Sequence, residues 1–521
     1  MSAASMCAVC RKPAGQRCSV CKAVNYCSKE HQKQHWKLHK SECSCFQVVS
    51  SEKLGRYMVA TRNIAAGEVV LKETPLVYGP KISCYPQCLG CHRQLKGTSP
   101  DEETPKSFYH CKKCDWPLCA PRCENSLTHK KECELMAKQK HKSVIVYQEP
   151  PQKEAAYCTI LPLRCLLLEP QKLNEVLSLS SNLDKRINTP LYKVFRVNIV
   201  GFLHKALGLK QFDEETILKV AAVLDTNAFE IRRKMGNIKI RGLYCKAAMM
   251  SHNCLPNTKH VFVGDDYSIV VMATTDIKKG EVISATYTQS LWSTQERRQH
   301  LLSSKCFECD CLRCADPTEF GTHFSCILCS KCRGYVSCQK PLHQMSDWKC
   351  QKCSHVIKSR QMTFGNDTIK REIENTEKTI PTLELLLNKY LKEDSVLHPT
   401  NFHIVQAKYA LIQLYGSKLS ELSESQLEHA ETLCNELLEL ADKLDPGLTR
   451  FRGSLLYDLQ AIKVIKVKAE FEKDFITKEK AQELLAEVTS ILEEATTILK
   501  SEPDMGYSLQ ARLKELNDLC T

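Results

Sequence analysis

Four close pairs of metal-binding side chains fall within the first 43 residues: Cys7-x2-Cys10, Cys18-x2-Cys21, Cys27-x3-His31 and His39-x3-Cys43. Eight thiol and imidazole donors at these spacings suit two tetrahedral zinc ions, which tie together a segment too small to bury a core. Interleaved pairing joins Cys7, Cys10, Cys27 and His31 on one metal, and Cys18, Cys21, His39 and Cys43 on the other. Ser28 can cap a helix through KEHQKQHWKLHKSEC, where spacings of four put His31, His35, His39 and Cys43 on one face. His35 is therefore a rival ligand to His31. Trp36 and Leu38 are expected to form the small core of this module.

The ligand pattern returns. Cys88-x2-Cys91, Cys111-x2-Cys114, Cys119-x3-Cys123 and His129-x3-Cys133 again supply eight donors in four pairs, enough for two more zinc ions. Further on, Cys309-x-Cys311-x2-Cys314 supplies three thiolates where a closed structural site wants four; Cys306 or a distant cysteine can complete it. Cys329-x2-Cys332 and Cys350-x2-Cys353, separated by a hairpin-like RGYVSCQKPLHQMSDWK, read as a zinc ribbon, with Cys326 and Cys338 as competing ligands. About six zinc ions are expected in all.

With 31 cysteines, many of them in CxxC pairs beside histidines, the chain reads as an intracellular metal binder rather than a disulfide protein. No signal peptide is apparent, and no apolar run approaches the roughly 18 residues of a membrane span. The formal charge is +13, carried by the region before residue 365, while the remainder is acidic. Zinc-bound thiolates offset much of that charge and no recognition-helix spacing is evident, so direct nucleic-acid binding is disfavoured.

Between the cysteine groups, LGRYMVATRNIAAGEVVLKETPLV alternates branched apolar residues with turns at Gly55 and Gly67, as short strands do. Residues 155–235 follow helical periodicity, including DEETILKVAAVLDTNAFEIRR. Strands return at KHVFVG, YSIVVMATTDI and GEVISATYT. Residues 368–521 read as helical throughout, either stacked antiparallel pairs of tetratricopeptide type or a plain helical cap.

The order of cysteine module, GRYMVATRNIAAGEVVLKETPLV, helical insert, SHNCLPN, GEVISATYT and CFECDCLRC resembles the SMYD family, lysine methyltransferases whose SET domain is split by a MYND zinc finger. HPTNFHI and KYALIQLYG, with the ribbon, look most like its arthropod branch. The resemblance implies an α+β, multidomain fold. It divides the chain into an extra N-terminal MYND finger (1–45), a first SET part (46–83), an inserted second MYND-like finger (84–134) and a helical SET insert (135–240). A second SET part (241–304), a post-SET zinc segment (305–317), a zinc ribbon (322–356) and a C-terminal helical, TPR-like domain (365–521) follow.

It further implies that Cys254 of SHNCLPN is the fourth thiolate beside Cys309, Cys311 and Cys314. The implied activity is methyl transfer from S-adenosylmethionine to a protein lysine, on a histone or another protein. Tyr287 is then the catalytic tyrosine, and Gly55, Arg56, Tyr57, Asn182, Asn227, Ser251, His252 and Phe307 border the cofactor. MYND fingers resemble binders of proline-containing peptides, and residence in cytoplasm, nucleus or both is implied. Three positions depart from the family pattern. Tyr57 stands where a glycine lets the backbone approach the cofactor, Ser251 replaces an asparagine, and Lys305 replaces a second channel tyrosine. A scaffold with weakened catalysis is the alternative reading.

Overall fold

Short strands rich in branched residues build the central body. The computed structural model describes residues 6–18, 24–98, 106–233, 236, 238–502 and 505–520. One sheet has the order Ser251–His252, Val282–Ala285, Gly55–Ala60, Phe46–Ser51, and a second the order Thr258–Val263, Ser268–Ala273, Val69–Glu73. A third places Ile238–Leu243 between Val77–Gly79 and Phe229–Arg233. Pairing is antiparallel except where Ser251–His252 runs parallel to Val282–Ala285. The core between these sheets holds Met58, Ile64, Ile231, Ile240, Tyr244, Ile269, Val271 and Ile283. Gly55 and Gly67 take the left-handed turns expected of them, at φ of 64° and 82°.

The helical reading of 155–235 holds to Asn227 and then fails, because Phe229–Arg233 is a strand. Its residues alternate, with Ile231 buried between the exposed Glu230 and Arg232. That period of two fits a pleated edge and not a helix. The helical insert shares one core with the second cysteine module, including Trp116, Met136, Tyr157, Ile160 and Leu203. Arg164 of the insert fastens them together. It donates to both carboxylate oxygens of Glu132, at 2.5 and 2.6 Å, and to the carbonyls of Tyr78 and Leu89.

Ser28 caps the helix Lys29–Glu42 as expected, accepting from the His31 amide. Trp36 and Leu38 are not the core of the first module: they are 36% and 72% exposed. The inward face of that helix is taken by its histidines and Cys43, leaving the buried interior to Cys7, Cys18, Tyr26 and Cys43. In so small a unit the metal ligands themselves are the core.

The ribbon is a four-stranded sheet, Ile327–Leu328, Tyr335–Cys338, Trp348–Cys350, Val356–Ile357, that shares its core with the helices beyond it. Those helices, from Ser359–Asn375 to Gly506–Cys520, pack mainly against their chain neighbours, as a stacked array does. Among the described residues, no helix is long and apolar enough to cross a membrane.

The array docks back onto the sheets. Leu448 N donates to Thr274 O at 2.9 Å, and Lys259 Nζ donates to Ile498 O at 2.7 Å. Gly447, at φ 85°, lies so close that a Cβ would strike the Thr274 carbonyl. Gly447→Ala is therefore expected to cost about 1–3 kcal/mol, combining left-handed strain with that clash. Gly365→Ala is the control, since a Cβ there meets nothing within 4 Å in a helix. It should leave the thermal midpoint unchanged or raise it. Equal midpoints for Gly447→Ala and wild type would contradict the docking.

Candidate active site and metal centres

Five sets of four donors each converge with all ligand atoms within 4.8 Å of one another. They are Cys7, Cys10, Cys27 and His31; Cys88, Cys91, Cys119 and Cys123; Cys111, Cys114, His129 and Cys133; Cys254, Cys309, Cys311 and Cys314; and Cys329, Cys332, Cys350 and Cys353. Four soft donors at this spacing, without a fifth position for water, fit a structural zinc ion. For the remaining expected site, Cys18 and Cys43 lie with sulfurs 3.6 Å apart and His39 is buried, while Cys21 lies outside the described residues.

Rivals fall away for stated reasons. The His35 Nδ1 is 3.0 Å from the Tyr26 hydroxyl, whereas the His31 Nδ1 is 3.0 Å from Cys27 Sγ. Cys326 spends its thiol on the Pro317 carbonyl, and Cys306 and Cys338 belong to none of these five sets. The imidazole of His129 presents Nε2 to Cys114 at 3.4 Å and Nδ1 to Glu132 at 3.4 Å. With Glu132 clamped by Arg164, the ring's orientation is fixed from outside the metal set.

SHNCLPN is stitched between strand and metal. Asn253 N donates to Ala285 O at 3.0 Å, and Asn257 exchanges bonds with the same strand through Ser284 N and Val282 O, each at 2.8 Å. Between these anchors Cys254 drops into the cluster, 3.5 Å from Cys314 Sγ. His252 Nδ1 accepts from the Tyr287 amide at 3.0 Å. Burial holds this histidine's pKa down to about 4.

Tyr287 lies two residues beyond the end of the strand Val282–Ala285. Its hydroxyl donates to the carbonyl of Met250, the residue before SHNCLPN. Burial pushes its pKa up to about 12, so it stays a neutral phenol. Tyr287, Phe307 and the cysteines 254, 309, 311 and 314 pack as one cluster around Leu301. The rings of His252 and Tyr287 have centroids 5.3 Å apart, and those of His252 and Phe307 6.0 Å.

Opposite lies the end of the helix Glu214–Asn227. Asn227 gives its amide hydrogens to Ser180 O and Val223 O, each at 2.8 Å, and no described residue engages its Oδ1. Asn182, at φ 50°, donates to Lys305 O at 3.3 Å. Lys305 turns inward: its Nζ is 5.8 Å from the Tyr287 ring centroid and donates to Thr226 O at 2.7 Å. Burial, with Arg241 next, lowers its pKa to about 8, against the pull of Asp225. Gly55 is exposed at the hairpin turn and Tyr57 half-buried on the strand, while Arg56 reaches Ser178 O at 2.6 Å. Ser251, His252, Asn182, Asn227, Tyr287 and Phe307 are all half-buried and converge on one region with Lys305.

Several participants were not read from the sequence. Met250 offers only a backbone carbonyl, which no residue type advertises. The buried Arg186 pairs with Asp225 at 2.8 Å and donates to Ser304 O at 3.0 Å, fixing the loop that precedes Lys305. Asn257 could have been found, since it closes the quoted motif and an asparagine can bridge a strand through both amide atoms.

Comparison with known proteins agrees with this layout. A SET domain model matches residues 55–288, and a MYND finger model matches residues 7–43. The chain is 28% identical over 426 residues to the SET domain-containing protein SmydA-8, isoform A, of Drosophila melanogaster, covering 79% of this chain and 87% of that one. It is 25% identical over 274 residues to the histone-lysine N-methyltransferase SMYD3 of Homo sapiens, covering 51% and 60%. To the N-lysine methyltransferase SMYD2 of Gallus gallus it is 26% identical over 279 residues, covering 50% and 57%. The chain thus carries a MYND finger ahead of a SET domain and is similar over most of its length to a SET domain-containing protein named for the SMYD group.

Proposed function

We propose that this chain is a SET-type protein-lysine N-methyltransferase that uses S-adenosylmethionine, working inside the cell, in cytoplasm, nucleus or both, on a histone or another protein. The observation that carries this reading is Tyr287, whose hydroxyl is pinned to Met250 O where SHNCLPN enters the Cys254 zinc set. S-adenosylmethionine, when bound, supplies an electrophilic methyl group on a sulfonium; the substrate amine's lone pair takes it as the carbon–sulfur bond breaks.

The chain's own residues supply position and polarity. Asn227, Ser251, His252 and Phe307 would hold the cofactor, and the Gly55 turn with Arg56 and Tyr57 would border it. Tyr287, a neutral phenol with its proton committed to Met250, keeps an oxygen lone pair for the reacting region. It orients the amine and does not act as its base. The Tyr287 oxygen, held in place by Met250 O, would face the positive charge of the reacting centre. Cys254, Cys309, Cys311 and Cys314 would hold a zinc ion with four protein thiolates, a structural role that would keep Phe307 and the post-SET segment over the site.

A second reading, a scaffold with weakened catalysis, is favoured by Lys305, an amine beside Tyr287 where a substrate amine would enter. The exposed Trp36 and Leu38 on the first finger support capture of proline-containing peptides by either version.

Calorimetric titration of S-adenosylmethionine into zinc-replete protein should give saturable binding that Asn227→Ala weakens by about tenfold or more. Tyr287→Phe should keep cofactor affinity and lower the methyl-transfer rate by about 100-fold. Absence of binding at millimolar cofactor would overturn the enzyme reading and leave the scaffold.

Lys305 adds a pH signature. Around it stand Arg241, Arg186, His300 and Tyr287, with the carboxylate Asp225 opposing them, and burial lowers its pKa to about 8. At neutral pH the ammonium repels an incoming cation; above pH 8 it is increasingly neutral. Lys305→Met should therefore exceed wild type in rate at about pH 7, with the ratio falling toward one by about pH 9. A ratio constant with pH would contradict this role.

A further inference from the structure

Lys305 closes the helical turn Leu301–Lys305 and sends its side chain toward Tyr287 and the end of the helix Glu214–Asn227. Its Nζ donates to Thr226 O at 2.7 Å and to Asp225 O at 3.3 Å, the two residues that precede Asn227. The same nitrogen lies 5.8 Å from the centroid of the Tyr287 ring, and the Lys305 carbonyl accepts from Asn182 at 3.3 Å. An amine of the chain itself therefore stands between the catalytic tyrosine and the residues that would border the cofactor.

No carboxylate holds a proton on this amine. The Asp225 carboxylate is engaged by Arg186 at 2.8 Å and Arg241 at 3.6 Å, and among the described residues no ion pair includes Lys305. The buried Lys408, by contrast, is paired with Glu436 at 2.6 Å. Arg241, Arg186, His300, Cys306, Tyr287 and Asp225 surround the Lys305 amine, and burial is the largest influence, lowering its pKa to about 8. A substantial neutral fraction is thus present near pH 8.

The hydrogen bonds leave the nucleophilic position open. A neutral amine has two hydrogens and one lone pair. With the hydrogens given to the carbonyls of Asp225 and Thr226, the lone pair has no donor directed at it among the described residues. The two carbonyls hold the nitrogen in place, as a positioned nucleophile requires.

We propose that Lys305 is a methyl acceptor of its own chain. With S-adenosylmethionine bound, the neutral Lys305 nitrogen uses its lone pair to bond the methyl carbon as the carbon–sulfur bond breaks, and the electron pair of that bond leaves with sulfur as S-adenosylhomocysteine. The nitrogen becomes a methylammonium, which then loses its proton to solvent according to pH; no oxidant or further reactant is needed. Enclosed by Asp225, Thr226 and Tyr287 of the same chain, the amine is served by its own cofactor. This inference rests on the methyl-transfer reading and adds a modification site to it.

The test is incubation of full-length, zinc-replete protein with trideuteromethyl-labelled S-adenosylmethionine and no other substrate, followed by tandem mass spectrometry of the peptide that holds Lys305. Label should accumulate on Lys305, with a rate constant unchanged over an about tenfold range of protein concentration. The rate should rise about tenfold from pH 7 to pH 9 as the amine loses its proton. Tyr287→Phe should take label about 100-fold more slowly, and Lys305→Arg should bind cofactor yet take none by intact mass. Methyl already present on Lys305 of isolated wild type, and missing from Tyr287→Phe prepared alike, is the same positive result. A rate constant proportional to protein concentration, equal labelling of Tyr287→Phe, or undiminished label on Lys305→Arg would each overturn the proposal. Calorimetry on the same sample separates the two readings. Cofactor binding without label on Lys305 overturns self-methylation alone, whereas absence of binding overturns it together with the methyl-transfer reading.

Discussion

Glu319 is a buried carboxylate between two buried arginines, and three parts of the molecule meet on it. Arg297, from the helix Thr294–His300, reaches it at 3.0 Å, and Arg313, from the post-SET turn, at 2.8 Å. Ser325 donates to its other oxygen. Burial alone would raise this carboxyl's pKa, but the two guanidinium groups outweigh it and hold the group ionised. The arginines then reach outward: Arg297 to Cys314 Sγ at 3.8 Å, and Arg313 to Ser290 O at 2.9 Å and Leu444 O at 3.4 Å. One carboxylate thus fixes the post-SET zinc set against both the strand region and the helical array. Buried ion pairs of this kind add little net stability over an apolar replacement, yet losing one partner costs about 3–5 kcal/mol. Such a junction is strict about geometry, which is what a site assembled from distant segments requires.

That strictness reaches the chemistry through Cys254. The same heptapeptide is held to one strand by its asparagines, to the metal by its cysteine and to Tyr287 by its histidine. Removing the metal would release the post-SET segment, and with it Phe307, from the face of Tyr287. The hairpin contact Lys53–Asp310, at 2.6 Å but exposed, could not hold the segment by itself. The Lys305 amine inside this enclosure gives the chain a lever that a tyrosine there would not: its charge, and so the channel's field, changes near pH 8.

The legible parts of this fold were those whose signal is local. Paired cysteines announce themselves by spacing, and the five converged sets match pairs read from the sequence, including Cys7, Cys10, Cys27 and His31 in the first module. Cys254 was legible only through the order of motifs, because its partners lie more than fifty positions on. Trp36 and Leu38 were misplaced because hydrophobicity was taken as a sign of burial, whereas in a metal-built unit the ligands occupy the interior. Phe229–Arg233 was carried along by the helix before it, although its alternation was there to be seen. The Glu319 junction, the Arg186–Asp225 pair and the surroundings of Lys305 depend on contacts that cross the chain, and no local pattern encodes them. HPTNFHI, which served only as a mark of likeness, turns out to be a clamp. Its Thr400 donates to Thr322 O at 2.5 Å and its Asn401 to Cys326 O at 2.9 Å, fastening the ribbon to the array.

The central claim is that the post-SET metal assembles the cofactor site, and it is tested most directly by native mass spectrometry of wild type and Cys254→Ser with and without S-adenosylmethionine. The account predicts six zinc ions and one bound cofactor for wild type. Cys254→Ser should show one zinc ion fewer and no retained cofactor, with the other metal sets intact. Cofactor held equally by a variant that has lost that one ion would contradict it.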